Sequence, residues 1–154
     1  MRVYRLCRRP FSRRPLDGRG GLFASGRWHT PRRLVCYASD SLALASLEIL
    51  VHCEPDLVPS DLVAVEVSVP RGVKVAELGA DALPRSWRRY PPPALLQRLG
   101  NAWLDGSAAC VLRVPSALVP SENNFLINPM HPDIRKLRIL RKAPFQFDPR
   151  LADR

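Results

Sequence analysis

Leu34-Val35-Cys36-Tyr37-Ala38-Ser39-Asp40-Ser41-Leu42-Ala43-Leu44-Ala45-Ser46-Leu47-Glu48-Ile49-Leu50-Val51-His52-Cys53 sets a short β-prone run against a longer apolar stretch, and the junction between them decides how the chain is read. Residues 34–38 carry the aliphatic and aromatic side chains that suit a strand. Ser39-Asp40-Ser41 then offers several side-chain oxygens to the free N–H groups of a helix start, so a helix is expected from there through about Cys53. Pro55 and Pro59 stop any continuation. Between Leu42 and Cys53, Glu48 is the only carboxylate, among aliphatic, small or weakly polar neighbours that favour burial. Burying a bare carboxylate is expensive, so Glu48 must be paired, hydrogen-bonded, neutralised or functional.

Beyond the prolines, Val63, Val65, Val67 and Val69 alternate with Ala64, Glu66 and Ser68, the period of a strand with one wetter face. Residues 3–7, 73–78, 108–114, 124–128 and 137–140 are further short strand candidates, and 8–21 is a loop rich in Arg, Pro and Gly. Pro91-Pro92-Pro93 precedes a helix expected over 94–104. Strands do not alternate regularly with helices, which disfavours a doubly wound parallel sheet and predicts an α+β, β-rich compact domain spanning 1–154. The 16 prolines fall mainly between elements, implying defined loops and no long flexible linker.

Composition narrows the partners. The net charge is +10, and residues 1–33 hold ten arginines against the single carboxylate of Asp17. A second basic cluster, Arg135-Lys136-x-Arg138-x-x-Arg141-Lys142, lies near the C-terminus. Such clusters suit phosphate-bearing or acidic partners, although a solvated basic surface accounts for many of them equally well. Cys7, Cys36, Cys53 and Cys110 form no Cys-x-x-Cys pair and have no closely spaced histidines, so reduced thiols in a cytoplasmic protein are expected, with no metal site and no disulfide framework. No apolar run approaches the roughly 20 residues that span a bilayer, and no apolar signal segment follows Met1. The Arg-rich start imitates a transit peptide, but Val3-Tyr4-Arg5-Leu6 reads as a first strand instead.

Several motifs fail. Gly18-Arg19-Gly20-Gly21 invites a phosphate-binding reading, but Phe23 stands where a dinucleotide fingerprint needs its third glycine, and a plain turn fits better. His52-Cys53-Glu54 lacks the Pro-Cys-x-x-Cys that would complete a zinc deaminase site. There is no Gly-x-Ser-x-Gly elbow and no phosphate loop with its lysine, and His29, His52 and His131 are too dispersed to define a dyad without a fold.

What remains is Ser25-Gly26-Arg27-Trp28-His29, then Val35-Cys36-Tyr37, Ala43-Leu44-Ala45-Ser46-Leu47-Glu48, Val114-Pro115-Ser116-Ala117, the segment 122–129, and Pro144-Phe145-x-Phe147-Asp148-Pro149-Arg150-Leu151. In order and in content this resembles the RES domain family, named for an arginine, a glutamate and a serine that match Arg27, Glu48 and Ser116. The resemblance covers the chain from about Val3 to Leu151. It implies a fold similar to diphtheria-toxin-type ADP-ribosyltransferases and action on NAD+ as substrate, without a metal. It also implies the role of a bacterial toxin neutralised by a cognate antitoxin carrying an Xre-type helix-turn-helix region, with DNA contacted only through that antitoxin. Two positions depart from the family's pattern: Ser25 stands where a second glycine is usual, and Asn101 where an aspartate is common.

The residues suit that chemistry. Cleaving the nicotinamide–ribose bond passes through an oxocarbenium-like state, which a carboxylate beside the ribose stabilises, and Glu48 is the candidate. A pyrophosphate calls for forked cationic donors, for which Arg27 and, by family position, Arg5 are candidates. Tyr37 can stack on the nicotinamide ring. Ser116 can donate to the nicotinamide amide or to phosphate, or simply cap a turn. The acceptor of ADP-ribose, whether water, phosphate or a protein, is not readable. The alternative is a basic nucleic-acid-binding or RNA-cleaving toxin module. Its support is charge alone, because the few aromatics are not interleaved with the basic residues.

Overall fold

A computed structural model describes residues 1–54 and 57–151. Seven strands form one mixed sheet: β1 (Arg2–Arg8), β2 (Cys36–Ser39), β3 (Leu62–Ser68), β4 (Val75–Glu77), β5 (Val111–Pro115), β6 (Asn123–Ile127) and β7 (Arg138–Phe145). Their spatial order is β4-β5-β6-β2-β1-β3-β7, with β4 parallel to β5 and every other pair antiparallel. Among the described residues three α-helical segments accompany them: α1 (Gly20–Phe23), α2 (Leu42–Leu50) and α3 (Ala94–Gly106). The α+β, β-rich architecture expected from the sequence is what the structure shows.

Alternation decides which side chains meet. The four valines of the period-2 run, three of them in β3 and Val69 just beyond it, are buried, while Ala64, Glu66 and Ser68 are half-buried. Val3 and Cys7 of β1 join them, together with Cys36 and Ala38 of β2 and Phe125 and Ile127 of β6, in one apolar cluster. The intervening residues of β2, β5 and β6 point the other way. Leu126, Leu112, Val114 and the ring of Tyr37 pack there against Trp28, Trp87 and the Leu96 and Leu104 face of α3. The central strands are therefore covered on both sides. Between β1 and β2 the ladder is almost absent, with Tyr4 opposite Ser39 as the one pair in register, whereas β1 and β3 pair along seven positions. That sparse seam divides the sheet into two halves.

Helix α2 starts where the sequence places it: Ser41 is the N-cap, its hydroxyl accepting from the Leu44 amide at 3.0 Å. It ends at Leu50, short of the expected Cys53, because the His52 and Cys53 amides turn back to the Ile49 and Leu50 carbonyls and tighten the last turn. Pro55, expected to stop the helix, lies outside the described residues. Of the residues around Glu48 whose types favour burial, only those on the Leu44 and Ala45 side are buried, and Leu47 and Val51 are exposed. Strand β7 runs on to Phe145, past the expected end at Leu140. Arg141, Lys142 and Pro144 continue the strand, since an edge strand tolerates both charge and proline. Among the described residues no helix is long and apolar enough to cross a membrane, and all four cysteines are free thiols.

Candidate functional site

Glu48 is the centre of a hydrogen-bonded cluster. Its Oε1 accepts from Asn124 Nδ2 at 2.6 Å and from the Ser116 hydroxyl at 3.2 Å. Asn124 is oriented in turn, because its Oδ1 accepts from the buried Ser39 hydroxyl at 2.7 Å. Ser39 and Asn124 lie opposite each other in the β2–β6 ladder, so strand register fixes the amide that fixes the carboxylate. Helical spacing does the rest: Ala45, Glu48, Ile49 and His52 all line one cleft, with small Ala45 leaving room before the carboxylate. Among the described residues Oε2 takes no hydrogen bond.

The opposite wall comes from the turn at 26–30. Gly26 and His29 bridge to each other, with the Gly26 amide donating to the His29 carbonyl at 3.1 Å. Helix α3 seats this turn. A Cβ on Gly100 would fall 1.8 Å from the Trp28 carbonyl oxygen, so only glycine permits the approach. Gln97 donates to the Gly26 carbonyl at 3.0 Å. Asn101 donates to the Thr30 hydroxyl at 3.0 Å and accepts from the Thr30 amide at 3.3 Å, so its effect is local hydrogen bonding. Arg27, half-buried, uses Nη1 to donate to the carbonyls of Trp87 (2.7 Å) and Arg89 (3.1 Å), clamping the loop that forms this side of the cleft. Burial pushes the Arg27 guanidinium down from its usual range, while the charge of Glu48 pulls it back up. The two opposite charges thus face one space and form no salt bridge with each other.

Tyr37 lines the same cleft and feels both charges. Burial holds its hydroxyl well above the ordinary phenol range, so it remains protonated. That hydroxyl meets His29 Nδ1 at 2.8 Å, and the rings lie 5.5 Å apart at 48°. Arg5 spans the sparse seam, donating from Nη1 to the Tyr37 carbonyl at 2.8 Å, while its buried Nε has no partner. These groups line a partly open cleft of about 1150 Å³, somewhat above the roughly 300–1,000 Å³ of ordinary small-molecule sites.

Of the five residues singled out from sequence, Glu48, Arg27, Tyr37 and Arg5 line this cleft. Ser116 does not. It is fully buried, its one proton points at Glu48, and its oxygen accepts from the amides of Leu118 and Val119, both at 3.1 Å. Of the two places open to Ser116, ligand contact or turn cap, the structure shows the cap, with the hydroxyl also bonded to Glu48. Sequence reasoning did not single out Asn124, His29 or Arg88, which also line the cleft. Asn124 left a signal: two successive asparagines, Asn123-Asn124, interrupt a β-prone run in which one face should be apolar. Among the described residues no three His, Cys, Asp or Glu side chains gather as a metal site.

One α+β domain, its mixed sheet split at a sparse seam beside the cleft that Arg27, Tyr37 and Glu48 line, is the fold class expected from the sequence, one resembling the ADP-ribosyltransferases. The chain belongs to the RES domain family, which matches residues 2–148. It is 34% identical over 152 residues to Toxin Res of Photorhabdus laumondii (98% of this chain, 97% of that one). It is 42% identical over 126 residues to Toxin Res of Pseudomonas putida (80% and 84%). It is 35% identical over 138 residues to the Prs ADP-ribosylating toxin of a Sphingobium species (88% and 86%). Its fold is similar to that of a chain in the MbcT-MbcA toxin-antitoxin complex of M. tuberculosis, with a TM-score of 0.77 at 16% identity, covering 98% of this chain and 86% of the other.

Proposed function

We propose that this chain is the toxin of a toxin–antitoxin pair and that it consumes NAD+ by cleaving the nicotinamide–ribose bond. The observation that carries the reading is the Glu48 carboxylate, pinned by Asn124 and Ser116 through one oxygen and lining a cleft that Arg27 and Tyr37 also line. The C–N bond breaks with its electron pair leaving on neutral nicotinamide. The ribose carbon becomes oxocarbenium-like, and the fixed negative charge of Glu48 stabilises it without reorganising at the moment of reaction. Arg27 and Arg5 hold the pyrophosphate, and the Tyr37 ring stacks on the departing nicotinamide. An oxygen nucleophile from water, phosphate or a protein then adds to the carbon and gives up its proton to Glu48 or to solvent. No step needs a metal.

The names of the relatives, two of them Toxin Res and one an ADP-ribosylating toxin, support the class. The fold's likeness to a chain of a toxin–antitoxin complex is consistent with a protein partner. The partner inferred is an antitoxin with an Xre-type helix-turn-helix region that blocks the cleft and supplies the DNA contact, acting with this chain in the cytoplasm. The whole span 1–154 serves as one catalytic domain.

Mass quantification of NAD+ and its products, with and without phosphate in the buffer, tests this. Glu48→Gln is the control, because the amide oxygen can keep both hydrogen bonds to Oε1 while the charge is lost. Release of nicotinamide by the unmutated protein alone is expected. The companion product, ADP-ribose, its phosphate ester or a modified protein, identifies the acceptor. Intact NAD+ under every condition, or equal turnover by Glu48→Gln, overturns the reading.

A further inference from the structure

His29 is buried at 4% exposure, is polar at both ends, and is given no part in the chemistry above. Its two nitrogens are not equivalent. Nε2 lies 3.0 Å from the Ala24 carbonyl, which can only accept, so Nε2 carries the proton. In the neutral ring Nδ1 is then the acceptor, and the group facing it at 2.8 Å is the Tyr37 hydroxyl. Burial lowers the pKa of His29, which is consistent with a neutral ring but is not needed to fix the tautomer.

The socket around the imidazole is made of missing side chains. A Cβ on Gly26 would sit 2.7 Å from His29 Cε1, 2.8 Å from Nδ1 and 2.8 Å from the Tyr37 hydroxyl oxygen. A Cβ on Gly21 would sit 3.1 Å from Nε2 and 2.3 Å from the Arg33 carbonyl oxygen. Gly26 also stands immediately before Arg27 in the turn that α3 seats. The segment bearing the guanidinium therefore also bears the acceptor for the tyrosine hydroxyl.

We infer that His29 is a positioning residue of the cleft: through Nδ1 it takes the Tyr37 hydroxyl proton in a hydrogen bond and so locks the ring that faces the substrate. This deepens the NAD+-cleaving reading and rests on it for the kinetic consequence, whereas the hydrogen bond itself can be tested without substrate. Apart from that bond, the ring is held by its packing in the cluster of Trp28, Leu112 and Leu126, and its hydroxyl by the Trp28 backbone.

Two measurements test it. Imidazole nitrogen NMR of the full chain should assign Nε2 as protonated and Nδ1 as a hydrogen-bonded acceptor, with the Nδ1 signal moving in Tyr37→Phe. An Nδ1-protonated ring, or an Nδ1 signal indifferent to Tyr37→Phe, overturns the inference whether or not NAD+ is cleaved. Kinetics of His29→Gln, His29→Ala, Tyr37→Phe and the double variants then read the consequence. In the Tyr37 background, loss of one neutral hydrogen bond should lower kcat about five- to tenfold with KM nearly unchanged. In the Tyr37→Phe background the same His29 change should cost less than about twofold, as expected for residues acting as a unit. Full additivity would overturn the coupling, and Gly26→Ala, which forces a methyl group between the two partners, should reproduce the loss with both side chains present. Turnover absent from the unmutated protein would refute the NAD+ reading, with the NMR result still deciding the geometry.

Discussion

Removing the Asn124 side chain beyond Cβ separates the role of the carboxylate from the role of its mount. Asn124→Ala deletes the 2.6 Å bond to Glu48 and also the acceptor of the Ser39 hydroxyl, which is 3% exposed. A hydrogen bond to a charged acceptor contributes about 1.5–3 kcal/mol, and a buried hydroxyl left without a partner costs about 1–3 kcal/mol. The two losses share one cavity, so a total near 3 kcal/mol is expected rather than their full sum. At this chain length each kcal/mol moves the midpoint by about 2–4 °C, giving a fall in Tm of about 6–12 °C. Activity should drop further than stability explains, since displacing a catalytic group by about 1 Å can cost two orders of magnitude. Asn124→Asp sharpens the contrast. It keeps the shape and the Ser39 contact but sets a second carboxylate against Oε1, where two like charges cannot both stay ionised. Calorimetry and NAD+ turnover, measured on both variants at a temperature where each is folded, supply the readouts. A melting point for Asn124→Ala within about 1 °C of the parent, with turnover within about twofold, would refute the mounting of Glu48 by the β2–β6 ladder.

Ser116→Ala should lower Tm by about 2–8 °C through loss of the cap on Leu118 and Val119, and lower kcat through Glu48, while leaving KM for NAD+ unchanged; a rise in KM without a fall in kcat would restore the direct substrate contact. Gly100→Ala drives a methyl into the Trp28 carbonyl and should cost about 3 kcal/mol or more by overpacking, read as a reduced urea midpoint; parent-like stability would show that α3 does not seat the 26–30 turn by so close an approach. His29 gives a pH dependence whose sign follows from its lowered pKa. Unfolded chains take up the proton near pH 6.5 and the folded chain only at lower pH, so between those values the unfolded state binds more protons. The contribution is therefore complete above about pH 6.5 and is lost as the pH falls, at up to about 1.4 kcal/mol per unit, and the gap between parent and His29→Gln should narrow from pH 7.5 to 5. A gap independent of pH would place the protonation of His29 elsewhere.

Much of this fold is legible because its strands are short and strongly patterned. The valines of β3, the serine cap of α2 and the triple proline before α3 are local signals, and local structure obeys them. Strand β7 reads too short in the sequence because edge strands carry charge and proline that central strands exclude. The site is legible only in part, for a different reason. Glu48 stands out against apolar neighbours, and Arg27 and Tyr37 stand in motifs, but the residues that orient them come from elements separated by tens of positions. Asn124 lies 76 residues from Glu48, and Ser116 lies 68 from it, so no local spacing ties them together. Ser116 illustrates the limit: a serine after a β-run fits a turn cap and a ligand contact equally well, and only burial distinguishes them.

The sparse seam between β1 and β2 explains why these groups meet where they do. A complete ladder would give the Tyr37 carbonyl a backbone donor and leave no cleft between the halves of the sheet. Instead β1 and β2 share the single Tyr4–Ser39 pair, and the Tyr37 carbonyl receives the Arg5 guanidinium at 2.8 Å. One side chain thereby replaces a ladder bond and carries positive charge into the opening that the missing bonds create. Its Nε remains buried without a partner, a desolvation cost that an anionic ligand or a bridging water at the seam would relieve. On this view Arg5→Lys is not conservative: a lysine can supply the charge but not a planar fork that bonds the carbonyl and faces the cleft together. A weaker hold on NAD+ and a looser seam should appear in the same variant, the first as a raised KM and the second as faster amide exchange in β2. A raised KM with unchanged exchange would assign Arg5 to the ligand alone, and the seam would need another explanation.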